Sequence, residues 1–219
     1  MNLEEKVETL TRELASAKET IAELQKKAST DELTGLPNRR EFNIFLQEFQ
    51  SLYEREIIER YTLVLFDLDG FKPVNDTFGH QAGDACLQFV AEEVRRMLRS
   101  SDFFAREGGD EFAIILPGIK EDMAMRVAKK VLHVIEEGVS ARLRVLLKSE
   151  DVQISASFGL VYFCKDRGVN KRTKEEIIKL ADYARYVAKR KGGRQVMTLD
   201  GAIHNDEGQV IYKQFFQNR

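Results

Sequence analysis

The sequence has 219 residues, with 34 Lys or Arg against 36 Asp or Glu, so its formal net charge at pH 7 is -2. This balance excludes a globally basic protein that holds a nucleic-acid polymer, and it excludes an acidic disordered chain. The longest apolar runs are far shorter than the roughly 20 residues that span a bilayer, and the N-terminal residues lack the apolar core of a signal peptide. We therefore expect a cytoplasmic chain with no membrane segment. Cys86 and Cys164 stand beside large apolar residues, which predicts buried and inert thiols.

The first 28 residues carry apolar residues at alternating spacings of four and three. These positions are Leu3, Val7, Leu10, Leu14, Ala17, Ile21, Leu24 and Ala28. Four heptads of this kind favour a helix that supercoils on a partner, because a helix on a globular surface has a wider apolar face. We predict a parallel coiled-coil homodimer through residues 1–28. The alternative is a solvated helix that docks on its own domain.

Residues 29–199 are predicted to alternate helices and strands. A break that includes Pro37 precedes a helix starting near Arg39, capped by Asn38 and ending before Tyr61. The later predicted elements are a strand at 62–66, a turn at 67–70, a helix over about 83–98, strands near 102–107 and 110–116, a helix over about 121–137, a strand around 152–163, a helix over about 173–190 and a strand near 195–199. Residues 142–148 are compatible with an extra strand, and the tail 200–219 with a small hairpin. The central hairpin indicates an α+β fold, with a sheet covered by helices.

Acidic residues collect at two of the predicted turns. Asp67 and Asp69 follow the strand 62–66, and Asp110 and Glu111 follow a glycine pair. If the two strands are neighbours, three or four carboxylates meet at one edge of the sheet. Hard oxygen ligands select Mg²⁺ or Mn²⁺, and two such ions suit phosphoryl transfer. The alternative is that these acids are ordinary turn residues.

The segment after the first turn offers groups that suit a nucleotide. Lys72 lies one turn from the acids and can neutralise a phosphate. Asn75 and Asp84 provide donors and acceptors for a guanine edge, because a carboxylate accepts from the N1 and N2 hydrogens of guanine. Loop structure and helix capping are the alternative for these two residues. Gly108 and Gly109 leave room for the close approach of a bulky ligand.

Four segments together resemble the GGDEF-domain diguanylate cyclases. They are DELTGLPNRREF (31–42), FDLDGFKPVNDTFGHQAGD (66–84), AREGGDEFAIIL (105–116) and ADYARYVAKRKG (181–192). The resemblance implies a fold like polymerase palms and class III nucleotide cyclases, centred on an antiparallel sheet. It also implies the condensation of two GTP into cyclic di-GMP and two pyrophosphates. Each monomer would hold one GTP, so two domains must meet face to face.

The same resemblance implies roles for individual residues. Asp67, Asp110 and the backbone carbonyl of Leu68 would bind Mg²⁺ or Mn²⁺, two ions per site. Lys72 would stabilise charge on the phosphates, and Asp110 or Glu111 would assist deprotonation of the attacking ribose 3′-hydroxyl. The residues that would contact the rest of the substrate are Asn75, Asp84, Gly108, Gly109, Lys189 and Arg194. His80 either shapes the loop or contacts the substrate.

Arg99-Ser-Ser-Asp102 lies upstream of the glycine pair at the spacing of the family's RxxD product-inhibition site. The resemblance implies that Arg99 and Asp102 bind the guanine of cyclic di-GMP, helped by Arg106. From the residues alone, the alternative is a helix C-terminus with a cation against its dipole and an aspartate in the following turn.

Three positions depart from the family pattern. Glu107 stands where an aromatic or apolar residue is common, Arg185 stands where leucine is usual, and the phosphate-binding arginine is displaced by one position to Arg194. The alternatives are that the role of this arginine is lost or that Arg190 or Lys191 takes it. We favour an active cyclase because the metal and guanine positions are intact. The first alternative is an impaired domain that acts as a receptor for GTP or cyclic di-GMP. The second is an interaction protein whose dimer helix is the functional part.

Overall fold

The structure is a computed structural model that describes residues 3–165 and 172–200. Its elements are, in chain order, α1 (Leu3–Ser29), α2 (Arg39–Glu54), β1 (Arg60–Asp69), α3 (Phe71–Phe78), α4 (His80–Met97), β2 (Phe103–Gly108), β3 (Glu111–Pro117), α5 (Glu121–Val134), a π-helical turn (Ile135–Val139), α6 (Ser140–Leu147), β4 (Ser155–Cys164), α7 (Lys174–Arg190) and β5 (Val196–Asp200). The hairpin predicted in the tail lies at 201–219, outside the described residues.

The five strands form one sheet in the order β2-β3-β1-β4-β5. All neighbouring pairs are antiparallel except β4 and β5, which are parallel. The central strand β1 places Asp67 opposite Glu111 on β3 and opposite Ser157 on β4. This confirms the α+β fold with an antiparallel-centred sheet, and it brings the two acidic segments to neighbouring strands.

Both faces of the sheet are covered by helices, and this follows from the alternation of side chains along each strand. Val64, Phe66 and Leu68 belong to a buried cluster with residues of α4, α5, the π-helical turn and α6. Leu63 and Leu65 belong to the cluster on the opposite face, with residues of α2 and α7. Each fully buried side chain of this kind contributes about 1.5–3 kcal/mol. The sheet, including the strand β1 that carries Asp67, therefore lies between two packed layers of helices.

The segment 142–148 is helical, so the prediction of an extra strand there is wrong. Val131, Ile135, Val139 and Leu143 are all fully buried and are spaced by four residues. Residues spaced by four do not stay on one line along an ideal α-helix, because that helix has 3.6 residues per turn. The wider π-helical turn absorbs part of that drift, so α5 and α6 bury one continuous face.

Three other elements differ from the sequence prediction in extent. Strand β1 continues through Asp69, so the predicted turn at 67–70 is reduced to the vicinity of Gly70. A short helix, α3, occupies residues 71–78, a proline- and asparagine-containing segment for which no helix or strand was predicted. Strand β4 begins at Ser155 rather than near 152.

Several local predictions are confirmed. The side chain of Asn38 accepts a hydrogen bond from the backbone N–H of Glu41 and caps α2. Cys86 and Cys164 are free and buried, and burial raises the pKa of the Cys86 thiol to about 12.

None of the helices in residues 3–165 and 172–200 has the length and apolar character that crossing a membrane requires.

Helix α1 confirms the predicted N-terminal helix, whereas its pairing with a partner stays a prediction. Val7, Leu10 and Leu14 have more than half of their surface exposed. These three residues of the predicted seam therefore do not dock on the chain's own domain.

Candidate active site

Asp67 lies on β1 at the face covered by α7 and is only 5% exposed. Its Oδ2 pairs with the ammonium group of Lys189, near the end of α7. Its Oδ1 is buried and has no hydrogen-bond partner among the described residues. Burial raises the pKa of Asp67, although Lys189 and Arg185 oppose the shift. An unsatisfied buried carboxylate oxygen is costly, so this atom suits a ligand such as a divalent cation.

Asp110 lies next to this carboxylate, at the turn of the hairpin. The backbone N–H of Leu68 donates a hydrogen bond of 3.2 Å to the carbonyl oxygen of Asp110, which extends the pairing of β1 with β3. The negative charge of Asp110 also contributes to the raised pKa of Asp67. Asp67, Asp110 and Leu68 are thus neighbours, as the residue assignments for a metal require.

The expectation that the two acidic segments meet on neighbouring strands is confirmed, whereas a metal-ligand set of three or four carboxylates is not found among the described residues. Over residues 3–165 and 172–200, no group of three or more histidine, cysteine, aspartate or glutamate side chains is arranged to hold a metal ion. Asp69 accepts hydrogen bonds from the Ser157 hydroxyl at 2.8 Å and from the Arg194 backbone N–H at 2.9 Å. Glu111 accepts a hydrogen bond of 2.8 Å from Arg185. With Lys189 on Asp67, tertiary partners therefore engage three of the four acids.

The residues assigned to guanine lie where α3 packs against α4. Asn75 on α3 is partly buried against Gly83 of α4, and a Cβ at Gly83 would lie 2.0 Å from the Asn75 Oδ1. Glycine at 83 therefore permits the position of the Asn75 amide. Asp84 follows directly and is exposed. Among the nearby predicted residues, Lys72 and His80 are also exposed, and His80 is the first residue of α4.

The two cations assigned to phosphates have different surroundings. The side chain of Lys189 is 46% exposed beside Asp67. The guanidinium of Arg194 instead donates from Nε to Glu136 at 3.1 Å, and Glu136 also accepts a hydrogen bond from the Ser155 hydroxyl. Arg194 has a positive φ of 54°, in the loop that follows α7. The structure thus brings Lys189 to Asp67 and ties the Arg194 side chain to the π-helical turn.

The sequence indicated Glu107 and Arg185 as two separate departures from the family pattern. In the structure they belong to one charged cluster, which also contains Glu111, Asp182 and Arg39. Glu107 is partly buried near the end of β2. Burial, together with the charges of Asp182 and Glu111, raises its pKa to about 7, and the charges of Arg185 and Arg39 oppose the shift. No local pattern in the sequence links these residues, because they come from α2, β2, β3 and α7.

The predicted RxxD segment forms a closed turn after α4. The backbone N–H of Arg99 donates to the Asp102 carboxylate at 2.9 Å, and the Asp102 N–H donates to the Arg99 carbonyl at 3.1 Å. Asp102 is buried, whereas Arg99 is exposed. A groove of about 670 Å³ adjoins this turn, and its lining includes Asp102, Phe103, Phe45 and Arg95.

Arg106, assigned to the same inhibitory site, is engaged elsewhere. Its Nη1 donates to both carboxylate oxygens of Asp31 at 2.9 and 3.0 Å, and its Nε and Nη2 donate to the carbonyl of Gly109. Burial opposes ionisation of Asp31, but hydrogen bonds from Thr34 and Arg106 outweigh it and lower the pKa of the carboxyl. Arg106 therefore links the segment after α1 to the glycine turn.

Replacing Glu107 with Gln tests the electrostatics of this cluster. A carboxyl whose pKa is raised in the folded state holds its proton more tightly than the unfolded chain does, so it lowers stability as pH rises from its ordinary value towards about 7. We expect the melting temperature of Glu107→Gln, relative to the unsubstituted protein, to rise between pH 5 and pH 7 and then to level off. Glu150→Gln, at an exposed position, should show no such trend. A difference for Glu107→Gln that is constant with pH would contradict the assignment.

Comparison with known proteins places these observations in a family. A family model described as "Diguanylate cyclase, GGDEF domain" matches residues 28–195, which is more than half of the chain. Diguanylate cyclase DgcP of Pseudomonas aeruginosa is 33% identical over 196 residues, which cover 87% of this chain and 27% of that protein. Probable diguanylate cyclase DgcE of Escherichia coli is 33% identical over 192 residues, which cover 86% of this chain and 16% of that protein. The chain thus spans about a quarter or less of the length of these two relatives.

A solved structure shares both the helix and the domain. The coiled coil and GGDEF domain of DgcB from Caulobacter crescentus, in complex with c-di-GMP, matches with a TM-score of 0.79 and 29% identity, covering 91% of this chain and all of that one. Sequence, strand order and the family model agree, and the chain belongs to the GGDEF-domain family of diguanylate cyclases.

Proposed function

We propose that this protein condenses two molecules of GTP into cyclic di-GMP with release of two pyrophosphates, in the cytoplasm as the sequence predicts. The buried Asp67, with one carboxylate oxygen unsatisfied beside Asp110 and a lysine on the other oxygen, carries this proposal. Such a site suits a reaction that consists of positioning and charge stabilisation, as phosphoryl transfer does. The names of the relatives support the same reaction.

Asp67, Asp110 and the Leu68 carbonyl are the groups that would hold Mg²⁺ or Mn²⁺, two ions per site. The unsatisfied Asp67 oxygen is of the type that these ions prefer. When bound, the ions supply charge neutralisation at the phosphates and a lower pKa for the attacking hydroxyl.

The remaining roles belong to side chains around this pair. Lys189 is partly exposed, so it can exchange the Asp67 carboxylate for a triphosphate oxygen, and the exposed Lys72 approaches from α3. Asn75 and Asp84 bind guanine, and the backbone of the glycine turn lies along the nucleotide. Because Arg185 already engages Glu111, the geometry favours Asp110 as the acceptor of the 3′-hydroxyl proton.

Two domains must meet for turnover, since each site holds one GTP. Helix α1 supports a coiled-coil homodimer, because Val7, Leu10 and Leu14 are exposed at heptad spacing. Their burial against a second copy removes apolar surface from water, worth about 25 cal/mol per Å². The DgcB structure, which contains a coiled coil and a GGDEF domain, has the same combination of parts.

The second candidate is a receptor that binds GTP or cyclic di-GMP without turnover. Two observations favour it: Glu107 adds a partly buried carboxyl to the site, and the Arg194 side chain is engaged by Glu136. Direct measurement of turnover separates the two functions.

We expect the protein to convert GTP to cyclic di-GMP in the presence of Mg²⁺, as measured by chromatography with a phosphodiesterase present to remove inhibitory product. Asp110→Ala should lower turnover at least about 100-fold, because it removes a charge needed in the transition state. Asp151→Ala, at an exposed position after α6, is the matched control and should keep full activity. Full activity of Asp110→Ala would refute the metal assignment. Binding of GTP by the unsubstituted protein without any product would establish the receptor instead.

The dimer is tested by placing a charge on the α1 seam. Leu14→Glu should weaken dimerisation, measured by analytical ultracentrifugation, and should lower activity most at low protein concentration. Ser16→Glu introduces the same charge at an exposed position outside the heptad seam and should leave both quantities unchanged. Equal behaviour of the two variants would argue against the coiled coil.

Product inhibition is tested at the turn after α4. We infer that Arg99 binds the O6 and N7 acceptors of a guanine of cyclic di-GMP and that Asp102 accepts from its N1 and N2 hydrogens. Arg99→Ala should raise the concentration of cyclic di-GMP that halves the activity by about tenfold or more. Arg96→Ala, at an exposed arginine of α4 that pairs with Glu92 and Glu93, is the control. Unchanged inhibition of Arg99→Ala would place the inhibitory site elsewhere.

A further inference from the structure

One guanidinium connects helix α7 to the signature hairpin. The Nη1 of Arg185 donates to Glu111 at 2.8 Å, and its Nη2 donates to Asp182 at 2.8 Å. The Arg185 side chain is only 17% exposed. Its charge also acts on Asp67 and on Glu107. The planar fork of arginine can hold two carboxylates in a fixed geometry, which a lysine ammonium cannot.

The starting point of this side chain is fixed by strand β4. A Cβ at Gly159 would lie 2.1 Å from the carbonyl oxygen of Ala181 and 2.4 Å from the backbone nitrogen of Arg185. Helix α7 therefore rests directly on the β4 backbone at the turn that carries Arg185. From there the side chain reaches Glu111 on β3, with β1 between β4 and β3 in the sheet. The guanidinium thus spans the strand that carries Asp67.

The neighbouring charges make this contact necessary for the position of Glu111. Glu107 and Asp182 also carry carboxyls within electrostatic reach of the cluster. Like charges repel in a partly buried site, so without a cation Glu111 would turn away from its neighbours towards solvent.

We propose that Arg185 is a positioning residue of the active site, which holds Glu111 in place beside Asp67 and Asp110. An effect of Arg185 on turnover rests on the proposed function. An effect of Arg185 on the affinity for a nucleotide is a separate claim and can be tested without turnover. Arg185 acts through Glu111, so its removal has an effect only where Glu111 is present.

A double-mutant cycle of Arg185→Leu and Glu111→Gln tests this claim. The measured quantity is the affinity for 3′-deoxy-GTP with Mg²⁺, by calorimetry, since this nucleotide lacks the attacking hydroxyl and cannot react. Arg185→Leu should weaken binding about tenfold, and Glu111→Gln should weaken it at least as much. Adding Arg185→Leu to Glu111→Gln should change the affinity by less than about twofold, because the two residues act as one unit. An equal loss in both backgrounds would overturn the proposal.

Two further variants distinguish the positioning role of Arg185 from the effect of its charge and from a loss of stability. Arg185→Lys keeps the charge without the fork, so it should bind 3′-deoxy-GTP as poorly as Arg185→Leu does while keeping a higher melting temperature. Affinity of Arg185→Lys equal to that of the unsubstituted protein would show that charge alone matters and would overturn the positioning role. Arg126→Leu, at an exposed position of α5, should bind as the unsubstituted protein does.

The same experiment distinguishes this inference from the proposed function. A protein that forms no cyclic di-GMP but shows the predicted cycle in 3′-deoxy-GTP binding would refute the cyclase and leave the role of Arg185 intact. A protein that cyclises GTP but loses affinity equally in both backgrounds would refute the role of Arg185 alone. If the unsubstituted protein fails to bind 3′-deoxy-GTP, both fall.

Discussion

The structure depends on a carboxylate buried within the central strand of its sheet. Asp67 lies in β1 between two strands and is almost fully buried, in a place that apolar packing would otherwise fill. Taking a charge out of water is costly unless it is paired. Lys189 on α7 pairs with one of its oxygens, and Arg185 on the same helix adds a second positive charge nearby. The other oxygen has no hydrogen-bond partner in the part of the chain that the structure describes, so the fold maintains a group that a cation would stabilise.

The position of helix α7 is linked to the burial of Asp67, because α7 supplies the cations that act on this carboxylate. Its packing on β4 at Gly159 brings its cations over the end of β1, and the loop after it returns to Asp69 through the Arg194 backbone N–H. On the other side of β1, the hairpin turn is held by Arg106, which also binds Asp31 in the segment after α1. Asn38 caps α2 and donates to the Ala28 carbonyl at the end of α1. The end of the N-terminal helix and the glycine turn of the hairpin are thus joined through a few hydrogen bonds.

Local sequence patterns predicted those parts of the molecule that local physics decides. The cap at Asn38, the hairpin at Gly108 and the apolar periodicity of the long helices each depend on neighbouring residues. Helix α3 was missed because its composition is typical of a loop, and its single buried residue, Val74, gives no periodicity. The segment 142–148 was misread because a π-helical turn changes the phase of the apolar positions.

The partners of the acidic residues could not be predicted from local pattern. Asp69 pairs with Ser157, Glu111 with Arg185, and Arg106 with Asp31. Each of these contacts joins residues more than 70 positions apart in the chain. Only the register of the strands and the packing of α7 bring them together. The family resemblance named the acids correctly as neighbours but gave no account of which of them are already engaged.

The displaced arginine has a physical explanation in the same loop. Gly193 occupies the position where the family carries its phosphate-binding arginine, and its φ is +70°. A Cβ there would lie 3.0 Å from the Asp69 Oδ2 that accepts the Arg194 N–H. A side chain at 193 would therefore strain the backbone and crowd this contact. The Arg194 side chain instead pairs with Glu136, so the proposed phosphate contacts rest on Lys189 and Lys72. A nearly neutral chain can thus gather charges of one sign locally, because its charges are sorted by tertiary structure rather than by composition.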